Sequence, residues 1–232
     1  MLVYGRNVAL EMLKNPKKVQ KVLLQDGFDD KKILSLLESS KIPVFIKSKR
    51  EIDRLAEGVH QGIILYVRDY QYCPLMSIVN EDASFLVILD HLEDPHNFGA
   101  IIRTCEAAGV DGIIIPKDRQ VGVTATVMKT SVGTLDSMKI SQVANLSSTI
   151  DYLKKQNFWV VGTALEDSAD YRTIDYSGKI ALVIGNEGSG ISNLVRKKCD
   201  FIAKIPMYGR TNSLNASVAS GIMIYEVIRN RK

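Results

Sequence analysis

Apolar and polar positions follow two rhythms along this chain, and the change between them falls near residue 70. Before it, short β-rich runs alternate with amphipathic segments. VQKVLLQ (19–25) reads as a strand, and in 29–41 the residues Ile33, Leu34, Leu36 and Leu37 recur at helical spacing on one side. A β-rich run at 42–48, a short helix at 50–58 and a strand at 62–70 complete a small α/β unit. Residues 71–78, with Pro74 and polar neighbours, read as a linker.

After the linker the strand–helix alternation is more regular. SFLVILDHL (84–92) is a continuous apolar run, the pattern of a strand buried on both faces of a parallel sheet. A helix is expected at 100–109, closed by Gly109 in the left-handed cap position, then a second buried strand at 111–116. A polar stretch at 125–140 carries no assigned element. Beyond it the pattern predicts a helix at 146–156, strands at 158–165 and 179–185, a helix at 191–198, a strand at 200–207 and a closing helix at 215–230. Alternation of this kind implies a parallel sheet covered by helices on both sides. The division expected is 1–70, a linker 71–78, and 79–232.

Composition excludes more than it selects. The 232 residues are 46% hydrophobic and 24% charged, which rules out collagen, a coiled coil and a wholly disordered chain. No apolar run approaches the roughly 20 residues needed to span a bilayer, and the N-terminus has no secretory pattern, so a cytoplasmic protein is expected. Three cysteines (Cys73, Cys105, Cys199) and three histidines, all scattered, suggest neither a disulfide framework nor a metal site. A net charge of +4 permits an anionic partner without demanding one.

Candidate chemistry gathers in three loops that follow predicted strands, where ligands of such sheets bind. In the first, Asn97 stands where a helix N-cap would stand, and Arg103 falls within a run of apolar and small residues. A guanidinium on a buried helix needs an anionic partner: an ion pair with Glu93, Asp94 or Glu106, or a substrate phosphate. The second loop, Gly185-Asn186-Glu187-Gly188-Ser189-Gly190, lets backbone approach a ligand, but its glycine order is not that of a dinucleotide fingerprint. A tight turn explains its glycines but not Glu187. In the third loop, 208–217, Ser213 or Asn215 reads equally well as a cap of the last helix.

Taken in order, NFGAIIRTCEAAG (97–109), VIGNEGSGIS (183–192) and IPMYGRTNSLNASVASGI (205–222) resemble the three motifs of the SpoU (TrmH-like) family of RNA 2′-O-ribose methyltransferases. YGRNVALEML (4–13) and HQGII (60–64) resemble the ends of the small substrate-binding domain in the subgroup that methylates a guanosine of 23S ribosomal RNA. The resemblance implies an α/β knot (SPOUT) methyltransferase domain with a C-terminal trefoil knot, S-adenosylmethionine as methyl donor, RNA as substrate and a homodimer. By position it implies donor contacts at Thr163, Gly185, Ile205, Met207, Leu214 and Asn215, and catalytic or site-building roles for Asn97, Arg103, Glu187, Ser213 and Asn215. Ala216 departs from the Val that many relatives carry, a change in packing that removes no chemistry.

On this reading Arg103 binds a phosphate beside the target ribose, because an arginine with a pKa above about 12 is a poor base. Glu187 orients Arg103 or accepts the proton indirectly. In the N-terminal domain Arg6, Lys17, Lys18, Lys21, Lys47, Lys49 and Arg50 are the candidate RNA phosphate contacts. A transfer-RNA methyltransferase of the same family, or a non-catalytic RNA-binding relative, are the rival expectations.

Overall fold

The computed structural model describes residues 1–56, 58–81, 84–131 and 133–231. In chain order its elements are β1 (Leu2–Tyr4), α1 (Arg6–Lys14), β2 (Val19–Gln25), α2 (Lys31–Glu38), β3 (Val44–Lys47), α3 (Lys49–Leu55) and β4 (Ile63–Val67). Then come β5 (Phe85–Asp90), α4 (Pro95–Ala107), β6 (Gly112–Pro116), α5 (Ala125–Ser131), β7 (Ile140–Val143), α6 (Leu146–Lys155) and β8 (Phe158–Thr163). The last are β9 (Ala169–Asp170), β10 (Lys179–Gly185), α7 (Asn193–Arg196), β11 (Phe201–Lys204) and α8 (Ala216–Arg229). Among the described residues no helix is long and apolar enough to cross a membrane.

The chain forms two compact units, Met1–Gln71 with Val123–Gly133, and Tyr72–Gly122 with Thr134–Lys232. The first is built on a mixed sheet in the order β1-β4-β2-β3, in which β4 is antiparallel to both neighbours and β3 is parallel to β2. Local chemistry starts its helices where they start. Asp30 caps α2 by accepting from the backbone N–H groups of Lys32 and Ile33, and Ser48 with Glu51 forms a capping box on α3. The helix expected at 29–41 buries Ile33 and Leu37.

The second unit carries a seven-stranded parallel sheet, β7-β6-β5-β10-β8-β11-β9. Its central strands β5 and β10 are buried along nearly their whole length, as their unbroken apolar runs require. One core cluster joins Leu86, Ile88, Ile114, Val160 and Val183 of the strands with Ile150 and Leu153 of α6. Residues 72–79 are seated on this unit: the Cys73 N–H donates to the Ile140 carbonyl at 2.9 Å, and Ile78 and Val79 are buried. Ile78 packs so tightly over Gly112 that a Cβ there would lie 2.9 Å from it.

Several element boundaries differ from the sequence expectation. The stretch 125–140 holds α5 and leads into β7, and α5 groups with the first unit although the chain on either side of 123–133 belongs to the second. The strand expected to reach residue 207 stops at Lys204, before Pro206, which has no N–H to give a ladder. Only four residues of 191–198 are helical.

Candidate active site

Register places the site. In the parallel pairing of β5 with β10, Gly185 stands opposite Asp90, so the loops leaving these two strands start side by side. Asp90 ends an otherwise apolar strand and is 1% exposed, a buried carboxylate that must be satisfied locally. Its Oδ2 accepts the Ser192 N–H at 2.6 Å, and its Oδ1 lies 2.6 Å from the Nδ1 of His91. Asn186 completes the tie by donating from Nδ2 to the His91 carbonyl at 2.8 Å, while its Oδ1 accepts the Gly188 N–H at 2.8 Å. The glycine-rich loop is therefore fixed to the end of β5 at both its ends. Sequence reasoning passed over Asp90 and Asn186. The signal for Asp90 was present: an ionisable side chain closing a run of buried apolar ones.

The start of α4 corrects the reading of Asn97. The helix is capped by Asp94, whose carboxylate accepts the His96 N–H at 2.8 Å, and Pro95 takes the first helical position. A proline there is pre-organised for the helix and forfeits no hydrogen bond, so Asp-Pro outcompetes Asn97 as the start signal. Asn97 is the third residue of the helix, 5% exposed, with its amide turned to longer-range bonds. Its Nδ2 donates to the Glu187 carboxylate at 2.9 Å, and its Oδ1 accepts from Asn215 Nδ2 at 3.0 Å. Asn215 does cap the last helix, accepting at Oδ1 from the Ser217 and Val218 N–H groups of α8. One amide thus serves as cap and as link. Three residues far apart in sequence form a single chain of bonds, Asn215 to Asn97 to Glu187.

Beside this chain lies a cavity of about 500 Å³ at the carboxyl ends of β8, β10 and β11. Thr163, Gly185, Ile205, Met207 and Leu214 line it, together with Glu187 and Ser213; Asn215 does not. The glycine at 185 is required: a Cβ would run into the backbone of Gly190 and Ile191, which folds back over it. Thr163 donates its hydroxyl to the Val183 carbonyl at 3.1 Å. Glu166 and Arg196 belong to the same wall and were not anticipated; Arg196 is tied to the Glu166 carbonyl at 2.6 Å. Burial pushes the Cys199 thiol up to about 12 and the Cys105 thiol higher still, so neither is a nucleophile near neutral pH.

Arg103 departs from expectation. Helix α4 buries only one face, through Phe98, Ile101, Ile102 and Cys105, and Arg103 lies exposed on another. Among the described residues it has no ion pair with Glu93, Asp94 or Glu106, and it does not line the cavity. The desolvation argument for a partner therefore falls, and among the described residues the Glu187 carboxylate is bonded by Asn97, with no bond to Arg103.

The basic residues of the first unit do not form one patch. Lys17, Lys18 and Lys21 lie at the start of β2, where Lys21 stands over the Tyr66 ring at 4.1 Å. Arg6, Lys47, Lys49 and Arg50 gather at the other end, because β3 runs parallel to β2 and β1 is paired to β4 in the same sense. Lys47 is engaged by Glu51 at 3.0 Å, and Arg6 by Asp29 at 3.2 Å.

Known proteins share this sequence and fold. Residues 84–225 match the SpoU rRNA Methylase family, and residues 2–73 match the RNA 2′-O ribose methyltransferase substrate-binding family. A Staphylococcus saprophyticus protein named for the TrmH family of tRNA/rRNA methyltransferases is 44% identical over 100% of this chain and 96% of its own length. The SpoU methyltransferase AviRb from Streptomyces viridochromogenes, solved with AdoMet, superposes with a TM-score of 0.83 at 26% identity, over 100% of this chain and 90% of that one. An AdoMet-bound rRNA methyltransferase from Sinorhizobium meliloti gives 0.81 at 28% identity, over 98% and 86%. The chain belongs to the SpoU family of RNA 2′-O-ribose methyltransferases.

Proposed function

We propose that this protein transfers a methyl group from S-adenosylmethionine to the 2′-hydroxyl of a guanosine ribose in 23S ribosomal RNA, acting as a cytoplasmic homodimer. The single observation that carries the reaction is the chain Asn215–Asn97–Glu187 beside a cavity whose wall requires glycine at 185. The ribosomal assignment draws on the rRNA methyltransferase that aligns over 98% of this chain, both units included. Exposed Val218 and Tyr225, two turns apart on α8, favour a second copy as partner. A C-terminal knot is supported by the insertion of β10 between β5 and β8 and by the shared cavity of the loops after β10 and β11.

The residues present suit the donor. Apolar Ile205, Met207 and Leu214 offer a surface for a flat base, the closely approached backbone at Gly185 offers amide groups, and the carboxylates of Glu166 and Glu187 complement a sulfonium charge. When bound, the donor supplies an already activated methyl group. What remains for the chain is placement and proton removal. Good positioning of reacting atoms can lower a barrier by roughly 7–11 kcal/mol, and a placed base adds about 10²–10⁴-fold. Asn97 holds one carboxylate oxygen of Glu187, and the other is left to accept the proton of the ribose hydroxyl. Ser213, exposed on the cavity rim, hydrogen-bonds the substrate. Arg103, exposed on α4, binds a phosphate flanking the target ribose.

The test is transfer of labelled methyl groups to unmodified 23S ribosomal RNA and to transfer RNA in parallel. Label recovered as 2′-O-methylguanosine from 23S RNA alone is expected. Label in transfer RNA alone would move the substrate to that class, and donor binding without transfer to either RNA would favour a non-catalytic RNA binder.

A further inference from the structure

A second cavity, of about 440 Å³, lies in the first unit and is lined by Arg6, Gln25, Phe28, Asp29, Lys49 and His60, with Gly27, Gln61 and Gly62 closing it. Its size falls in the range of roughly 300–1,000 Å³ usual for small-ligand sites. Its walls are held rather than loose. The Arg6 guanidinium sits over the Phe28 ring at 5.2 Å and is anchored by Asp29 at 3.2 Å and Asp30 at 3.8 Å. Gln61 accepts the Arg6 backbone N–H at 2.8 Å from a left-handed backbone, φ 53°. His60 accepts the Gly62 N–H at Nδ1 and reaches Asp53 with Nε2 at 2.8 Å. Gly62, at φ 80°, lets Phe28 pack where a Cβ would meet the ring at 3.1 Å.

This combination is not what a phosphate site needs. A backbone contact asks for exposed, mobile cations, whereas here one cation stands over an aromatic ring and is held by two carboxylates. Flat guanidinium and aromatic surfaces are what proteins use to stack unpaired bases of RNA, and amide and carboxylate groups around them read base edges. Gln25, Gln61 and Asp29 supply such groups. Lys49, at the first position of α3, supplies a cation for the attached phosphate.

We propose that the juxtaposition of Arg6 on Phe28, ringed by Gln25, Asp29, Lys49 and Gln61, is a pocket for one unpaired nucleobase of the substrate RNA. The pocket deepens the RNA methyltransferase reading and rests on it. It gives the first unit a means of selecting bulged or looped RNA over plain duplex, separate from the residues that react.

The test uses the full-length protein and a fluorescein-labelled RNA hairpin with one bulged guanosine, against the same hairpin with an abasic ribose at the bulge. The two probes carry the same charge, so phosphate contacts cancel. The native protein is expected to bind the bulged base about tenfold more tightly, the scale of one stacked base. Arg6→Lys, which keeps the charge but loses the plane, and Phe28→Ala should each reduce the preference to about twofold or less, while Phe28→Tyr retains it. Arg6→Lys carries the test should Phe28→Ala fail to fold by circular dichroism. Equal affinity of the native protein for the two hairpins overturns the pocket; if methyl transfer to RNA persists in that protein, the enzymatic reading survives without it. A base preference that disappears in the variants, in a protein devoid of methyl transfer, would sustain the pocket and defeat the enzymatic reading.

Discussion

Asn97 does more in this molecule than its amide suggests, because both ends of that amide are committed to residues more than 89 positions away. Asn97→Ala removes both bonds and frees Glu187 to turn into solvent. Misplacement by about 1 Å can cost 10²-fold in rate, so turnover is expected to fall about 10²-fold while donor affinity by calorimetry changes little. A comparable loss of donor affinity would show that Asn97 shapes the cavity instead. Gly185→Ala has the opposite signature: the Cβ has no space against Gly190 and Ile191, so donor binding should vanish, with a lowered melting temperature. For Arg103 the discriminating change is Arg103→Lys. A bidentate phosphate contact predicts a large loss, and near-full turnover would refute it. At this scale the sequence was informative about identity and poor about role. Motif order picked out Asn97, Glu187 and Asn215, but the N-cap assigned to Asn97 lost to Asp94-Pro95, and the burial assigned to Arg103 lost to helix phase. The phase was legible in part: Arg103 and Glu106, three positions apart, mark a polar face opposite Ile101, Ile102 and Cys105.

The central strands were legible because burial on both faces leaves no room for polar residues: FLVIL and IALVI can be little else. Ile88 of β5 is fully buried in the core cluster, and Ile88→Ala should cost about 2–5 kcal/mol, read as a lowered urea midpoint with unchanged slope. What stayed hidden was short or edge structure. The two-residue β9 at the sheet margin and β7 within a mixed polar stretch carry too few residues for a period to emerge. Helix α5 was hidden for a different reason, since its residues 125–131 pack with the first unit, a long-range choice that no local window contains. Capping remains a strong local force. Glu51 closes the α3 capping box, and its hydrogen bonds with Lys47 and Ser48 hold its carboxyl at about 2. Because the folded value is depressed, its stabilisation is present above the ordinary carboxylate range and fades as pH falls from there toward 2. Glu51→Gln should therefore flatten the acid limb of the stability curve slightly, measured by thermal melts between pH 7 and pH 3.

At the scale of the whole molecule, chemistry and affinity are expected to reside in different units. If lysines of the first unit neutralise RNA phosphates, affinity must fall steeply with salt, with a log–log slope near −0.7 per neutralised phosphate on single-stranded RNA. Fluorescence anisotropy between low and physiological salt measures it, and a flat response would count against phosphate contacts by these lysines. Light scattering should report twice the chain mass, with Tyr225→Glu on α8 halving it. The central claim is that Glu187, held by Asn97 beside the glycine-walled cavity, serves methyl transfer to RNA. The most direct measurement compares the native protein with Glu187→Gln for incorporation of labelled methyl into unmodified 23S RNA, with donor affinity measured on the same preparations. Incorporation by the native protein is expected, reduced by about 10²-fold or more in the variant at unchanged donor affinity. Full incorporation by Glu187→Gln, or none by a native protein that binds donor and RNA, would contradict it.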